Sequence, residues 1–279
     1  MIAAIFLVVF ESDVLYTLQE QNLFLHTPLF FEQQMVKAGG LLTWTGSYLT
    51  QFFYYPALGA GLLCLLWVLL VFLLVRAFRL PLSWRTATLV PVACLLLTIT
   101  DLGYWTFYLK LPGHAFCSTV GSIIAVAMAW LYRLLPQRYG LPTLFILFAT
   151  ALCYPLFGFY GLWAAMLMAL MAWRYSRHKI ADTAVALLVV VFVPLLCYYL
   201  LYHQTNIVNI YWAALPVYAL HQETFTAYYL PYIVLVGSTA TMAFRTLPLS
   251  TFLFPPSSLH LPLSTLCPCI PHLCHRVLV

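Results

Sequence analysis

The sequence predicts an all-α, polytopic transmembrane helix bundle of about seven to eight spans, with a long non-cytoplasmic first loop that contains interfacial helices. Three observations predict it. Of the 279 residues, 64% are hydrophobic and only 7% are charged, whereas a soluble domain carries about a quarter charged residues and needs that polar surface to stay dispersed. The apolar residues run in long continuous blocks, the helical signature, rather than in the short alternating segments of a β-barrel. The basic residues fall in small groups between those blocks, so the net charge of +5 reads as a topology determinant rather than a nucleic-acid surface.

The spans follow in order. The first block, 1–10, is too short to cross a membrane, which takes roughly 20 residues. It reads as a truncated or mis-started first helix, or as one that continues through Val14 and Leu15. No removable signal peptide is visible in it. Later spans are expected at 57–75, 86–104, 115–134, 141–157, 159–173, 183–202 and 229–244. The fifth and sixth of the set are short and are joined by Tyr154, Pro155 and Gly158, so a re-entrant hairpin is the alternative there. Placing Arg76, Arg79 and Arg85 in the cytoplasm puts the loops 133–140 and 174–182 and the chain after Arg245 on that side too. The opposite side, made of 11–56, 105–114, the turn near 155–158 and 203–228, holds only Lys37 and Lys110. Agreement over four loops fixes the expected orientation.

The first loop is rich in Leu, Phe, Tyr and Trp and is not disordered in composition. Residues 28–37 form one amphipathic piece, with Phe30, Phe31 and Met35 toward an apolar surface and Glu32, Gln33 and Gln34 away from it. Gly39-Gly40 is expected to end that piece. Residues 41–54 form a second, lying along the interface. The loop should be a folded cap. The tail from residue 246 is different in character. Proline interrupts every apolar run, so 1–245 is expected to be the bundle and 246–279 a non-helical end, aberrant or incomplete. Cys267, Cys269, His272, Cys274 and His275 are too tightly spaced for a usual zinc site.

Carboxylates are the candidate chemistry. Glu11, Asp13, Glu20, Glu32, Asp101 and Glu223 lie on or near the exterior side, and Asp182 alone does not. Glu11 and Asp13 stand where the first block ends, where a carboxylate can act as a base or hold a divalent cation. Asp101 lies within an apolar run and needs a cavity or a partner such as Lys110 or His114. In the last exterior loop His203, Asn206, Asn209, His221, Gln222 and Glu223 stand among Tyr and Trp, a set that suits either a sugar-like ligand or an interfacial belt. His221 and Glu223 would supply proton transfer if they converge.

Two resemblances follow from these residues. The stretches EQNLFLHTPLFFEQQMVKAGGLLTWTGSYLTQFFYYPALGA and NIYWAALPVYALHQETFTAYYLPY resemble an uncharacterised family of multi-span membrane proteins from Bacteroides-like bacteria, over roughly 10–245. That resemblance implies the bacterial inner membrane and no particular activity. The acidic position after the first block and the helical exterior loop 16–54 also resemble membrane glycosyltransferases that use polyprenyl-phosphate-linked sugars, although the paired acidic motif of those enzymes is not clearly present. The resemblance implies sugar transfer from a lipid phosphate, with Glu11 or Asp13 as base or metal ligand and Asp101 or Glu223 on a divalent cation or the acceptor. Lys110 or His221 would face the phosphate, and Glu20, His114 and Asn206 would line the site. A transporter and an envelope-assembly protein with protein partners are the competing classes; neither requires convergent carboxylates.

Overall fold

A computed structural model of the chain describes residues 2–100, 112–136, 140–176, 178–202, 206–215 and 225–245, with residues 2, 174, 208, 225–228 and 245 described by backbone alone. Every regular element among them is helical. Four helices are long and apolar enough to cross a membrane: Pro56–Phe78, Leu82–Thr100 (a 3-10 turn leading into an α-helix), His114–Leu134 and Lys179–Leu200. The tail, with its Cys and His cluster, lies outside the described residues.

The chain begins with α1 (Ile2–Phe10) and α2 (Ser12–Glu20), which are separate helices. Of the two readings of the first block, a short helix or one running on through Val14 and Leu15, the structure has the short one: α1 stops at Phe10, and after Glu11 (φ −116°, ψ 16°) the chain restarts as α2 at Ser12. In α3 (Pro28–Met35) Thr27 caps the start, its hydroxyl accepting the Phe30 N–H, and Pro28 occupies the first helical position, where its missing N–H is no loss. Then comes α4 (Gly40–Thr50) and a 3-10 turn, Gln51–Tyr54. Gly39 does not close α3 as the sequence suggested. With φ +82° it precedes α4, and its N–H reaches across to the Pro155 carbonyl at 2.9 Å.

The bundle comprises α5 (Pro56–Phe78), α6 (Leu89–Thr100), α7 (His114–Leu134), α8 (Leu141–Phe157), α9 (Phe159–Tyr175), α10 (Lys179–Leu200) and α11 (Phe225–Arg245). The helix of 86–104 is shorter at its start than expected, because Leu82–Thr88 winds as a 3-10 turn. Two ends can be told apart. One carries the cap, α2 to α4; the other carries Arg76, Arg79, Arg85, Arg133 and Lys179.

The helix α9 sits at the centre. Tyr160, Trp163, Ala164, Leu167, Met168 and Met171 are all buried, covering most of its circumference. It rises about 25 Å, and it is shielded by α7, α8, α10 and α11. In α5, by contrast, Leu63, Trp67, Leu70 and Leu74 face inward while Leu65, Val68 and Phe72 on the back are exposed. A helix apolar all round suits an apolar solvent. In such a solvent burial of Leu gives no hydrophobic gain, so helices associate through close contact of small residues and through hydrogen bonds. Both are visible here. The buried residues of α4 are Leu42 and the small Gly40, Thr43, Gly46, Ser47 and Thr50, and the helix packs on the start of α7. Trp67 Nε1 donates to Thr119 Oγ1 at 3.2 Å, tying α5 to α7.

The arginine end is closed by Arg133, whose Nη1 donates to the carbonyls of Arg76 and Ala77, both at 2.6 Å. These are last-turn carbonyls of α5, which lack intrahelical partners. Arg133→Met should therefore lower stability by about 1–2 kcal/mol, seen as a lower melting temperature of the detergent-purified protein; an unchanged melt would show the contact to be idle.

Candidate functional site

The cap is knitted to the bundle by three segments: the Gly39 turn, the turn between α8 and α9, and the stretch 206–215. Phe159 N donates to Ala213 O at 2.8 Å and Tyr154 Oη to Ile210 O at 2.7 Å. Gly158 (φ +60°) lies so close to Ala213 that a side chain there would collide with its carbonyl. Asn22 Nδ2 donates to Ser47 O at 2.9 Å, and Gln51 Nε2 donates to Asn22 O at 2.6 Å, which holds the chain after α2 against α4.

Beneath this cap lies a buried polar strip. His114, Ser118 and Ser122 are spaced by four residues, so they share one face of α7. All three are at most 2% exposed. Ser118 Oγ and Tyr232 Oη of α11 are 2.8 Å apart, and the Tyr232 ring lies 6.5 Å from the His114 imidazole. Tyr160 of α9 packs its ring on Gly121, beside Ser118 and Cys117. His114 Nε2 is 3.0 Å from the Thr98 carbonyl at the end of α6. A carbonyl only accepts, so the proton sits on Nε2 and a neutral ring presents Nδ1 as an acceptor.

Three buried polar atoms in the capped half of α7 and α9, His114 Nδ1, Tyr160 Oη and Trp163 Nε1, make no hydrogen bond of good geometry, and the Tyr160 hydroxyl lies near that of Ser118. An unmade buried hydrogen bond costs about 1–3 kcal/mol, so three of them in one half of one bundle require a reason. Together they offer one acceptor, one donor and one hydroxyl that can do either. That set matches a ligand carrying hydroxyl groups.

The sequence-predicted residues divide into three groups. His114 is in the strip, although the sequence placed it in a loop: it is the first residue of α7 and buried. Glu11, Asp13, Glu20 and Asn206 lie among the described residues. Glu11 is half-buried at the break between α1 and α2, where its carbonyl accepts the Leu15 N–H at 3.0 Å and partial burial raises its pKa. Asp13 and Glu20 are exposed on the first and last turns of α2, and Asn206 is exposed in the segment before Ile207. Asp101, Lys110, His221 and Glu223 lie outside the described residues. No group of three or more His, Cys, Asp or Glu among the described residues is arranged to hold a metal ion, so these residues give a divalent cation no ligand set.

Sequence reasoning passed over Ser118, Ser122, Tyr160, Trp163 and Tyr232. The four-residue spacing of His114, Ser118 and Ser122 was the available signal. It also passed over Asp182, in the first turn of α10 and wholly buried at the arginine end. Tyr132 Oη donates to one carboxylate oxygen at 3.1 Å and Thr143 Oγ1 to the other.

Fold and site together define an all-helical, strongly apolar bundle with a helical cap over a buried polar strip. The chain belongs to DUF6057, a family of unknown function, which it matches over residues 1–260. The match extends at both ends beyond the 10–245 over which the sequence resemblance was seen. Comparison with curated proteins and with solved structures finds no match.

Proposed function

We propose that the protein is an integral inner-membrane protein whose capped end faces away from the cytoplasm, and that it binds and transfers the sugar of a polyprenyl-phosphate-linked donor there. The clustering of Arg and Lys at the other end supports the orientation. The observation that carries the ligand class is the trio of buried, unpartnered polar atoms on His114, Tyr160 and Trp163, which suits sugar hydroxyls and leaves lipid tails unserved. In the transfer, the bond between sugar C1 and the phosphate oxygen breaks, and its electron pair leaves with the phosphate. A bond from C1 to an acceptor hydroxyl forms, and the hydroxyl proton passes to a base. His114 Nδ1 is the described atom fitted to accept it.

The test is retention and turnover of a polyprenyl-phosphate-linked hexose by the protein in lipid nanodiscs. Wild type should bind the sugar-bearing lipid more tightly than the same polyprenyl phosphate without sugar. His114→Phe should remove that preference and reduce transfer at least 100-fold, the scale of a lost general base, while the protein stays monodisperse. Equal binding of the two lipids by wild type would overturn the sugar reading and favour an envelope-assembly role.

A further inference from the structure

A second set of buried polar atoms lies in the cap, outside the strip. Asn22 is 5% exposed and Ser47 is fully buried. Asn22 Nδ2 donates to the Ser47 carbonyl at 2.9 Å, so the two residues are in direct contact. Among the described residues, neither Asn22 Oδ1 nor Ser47 Oγ has a hydrogen-bond partner. The two atoms belong to residues that one short hydrogen bond holds together, so they share one small volume.

The amide can point only one way. Its nitrogen faces a carbonyl, which only accepts; turned over, Oδ1 would meet the Ser47 oxygen. The rest of Asn22 is held as well, its N–H donating to Gln19 O at 3.1 Å and its carbonyl accepting from Gln51 Nε2 at 2.6 Å. Oδ1 is thus an acceptor to spare. Ser47 differs from the threonines of its own helix. Thr43, Thr45 and Thr50 donate to the carbonyls of Gly40, Leu41 and Gly46, one turn back, at 2.7 to 2.9 Å. Ser118, Thr119 and Ser122 of α7 do the same. Such back-bonding satisfies a helix hydroxyl locally. The Ser47 hydroxyl does not use it.

These two atoms define what they can take. Asn22 Oδ1 requires a donor, and Ser47 Oγ accepts or donates. A hydrocarbon would serve neither atom, and an anion would be repelled by Oδ1. A hydroxyl serves both at once. The location is the head of the strip: Gly46 and Ser47 lie so close to Gly113, the residue before His114, that a side chain at Gly113 would collide with them.

We infer that Asn22 and Ser47 form a hydroxyl-binding subsite in the cap. The hydroxyl has two sources, a fixed water molecule, which typically makes two to four such bonds, or an alcohol of the bound ligand. The subsite stands without the function proposed above; only its assignment to a sugar hydroxyl rests on that reading.

The experiment compares wild type with Ser47→Ala, as the full chain in lipid nanodiscs, by two readouts. One is the melting temperature without added ligand. The other is retention of the polyprenyl-phosphate-linked hexose relative to the same polyprenyl phosphate without sugar. Ser47 Oγ bonds to no described residue and the substitution keeps the Cβ, so the variant should fold. A bridging hydroxyl loses one of its two anchors in Ser47→Ala. If it is water, the melting temperature falls by about 2–4 °C and the sugar preference is unchanged. If it belongs to the sugar, the preference falls at least tenfold. An idle Ser47 hydroxyl predicts the reverse, because its removal relieves a buried unmade bond and Ala is the better helix former, so the melt rises. A melting temperature at or above that of wild type, together with an unchanged sugar preference, would overturn the subsite. If wild type itself shows no sugar preference, the transfer reading fails and the melt alone decides: a fall keeps the subsite as a water site, and no fall overturns it.

Discussion

Gly113→Ala should detach the cap. Gly113 has φ +69°, a left-handed conformation that strains an L side chain, and a Cβ there would fall under 3.0 Å from backbone atoms of Gly46 and Ser47. Backbone on both sides cannot rotate away as a side chain would. The strain costs of order 1–3 kcal/mol and the overlap adds to it, so a loss of at least about 3 kcal/mol is expected. The cheapest relief is for α4 to lift from α7. Cys117 reports on that movement, since its thiol lies between the two helices with Sγ 3.4 Å from the Leu42 carbonyl. In wild type it should resist a membrane-permeant maleimide, and in Gly113→Ala it should react readily, in protein carrying Cys117 as its sole cysteine. Equal protection in both would show that the crossing of α4 and α7 has slack.

The second large effect is expected at the opposite end. Asp182 joins three helices: it lies on α10 and receives hydroxyls from Tyr132 of α7 and Thr143 of α8. Asp182→Ala leaves the buried Tyr132 hydroxyl and the half-buried Thr143 hydroxyl without their acceptor; an orphaned buried group costs about 1–3 kcal/mol, so a destabilisation of roughly 2–4 kcal/mol should follow. Asp182→Asn keeps an acceptor oxygen and should cost less. Tyr132→Phe removes the other partner of one bond. If the two groups act together, the double variant Tyr132→Phe/Asp182→Ala should melt above the sum of the single losses. Strict additivity would show that the hydroxyl finds another partner when the carboxylate is gone.

Much of the architecture was legible because hydrophobic blocks report helices directly. The helix 141–157 was read with the boundaries it has, and α7 began one residue before the expected start. Two helices of the cap, α3 and α4, were legible, since Pro28 and the Gly39-Gly40 pair punctuate them. The break at Glu11 was legible as one of two readings of the first block, since Ser12 and Asp13 are residue types that favour a helix start.

The site was harder to read. Charge singled out Glu11, Asp13 and Glu20, of which Asp13 and Glu20 are exposed on α2 and Glu11 is half-buried just before it. The strip was built from His, Ser, Tyr and Trp, residue types that in an apolar sequence also mark interfaces. What distinguishes them is packing order. Tyr160 meets Ser118 because Gly121 lets its ring approach α7, and the α8–α9 turn meets the cap where Gly39 and Gly158 touch. Contacts of that range depend on which helices are neighbours, and local periodicity carries no information about it.

The central claim is that the α7 strip receives a lipid-borne polar head group. The most direct measurement is photocrosslinking with a polyprenyl-phosphate hexose bearing a diazirine on the sugar, in sealed vesicles, followed by mapping of the modified peptides. The account predicts labelling of 114–122, 160–163 and 232, reduced by unlabelled donor and lost in His114→Phe. Labelling confined to outward-facing positions such as Leu65, Val68 and Phe72, insensitive to competitor, would contradict it.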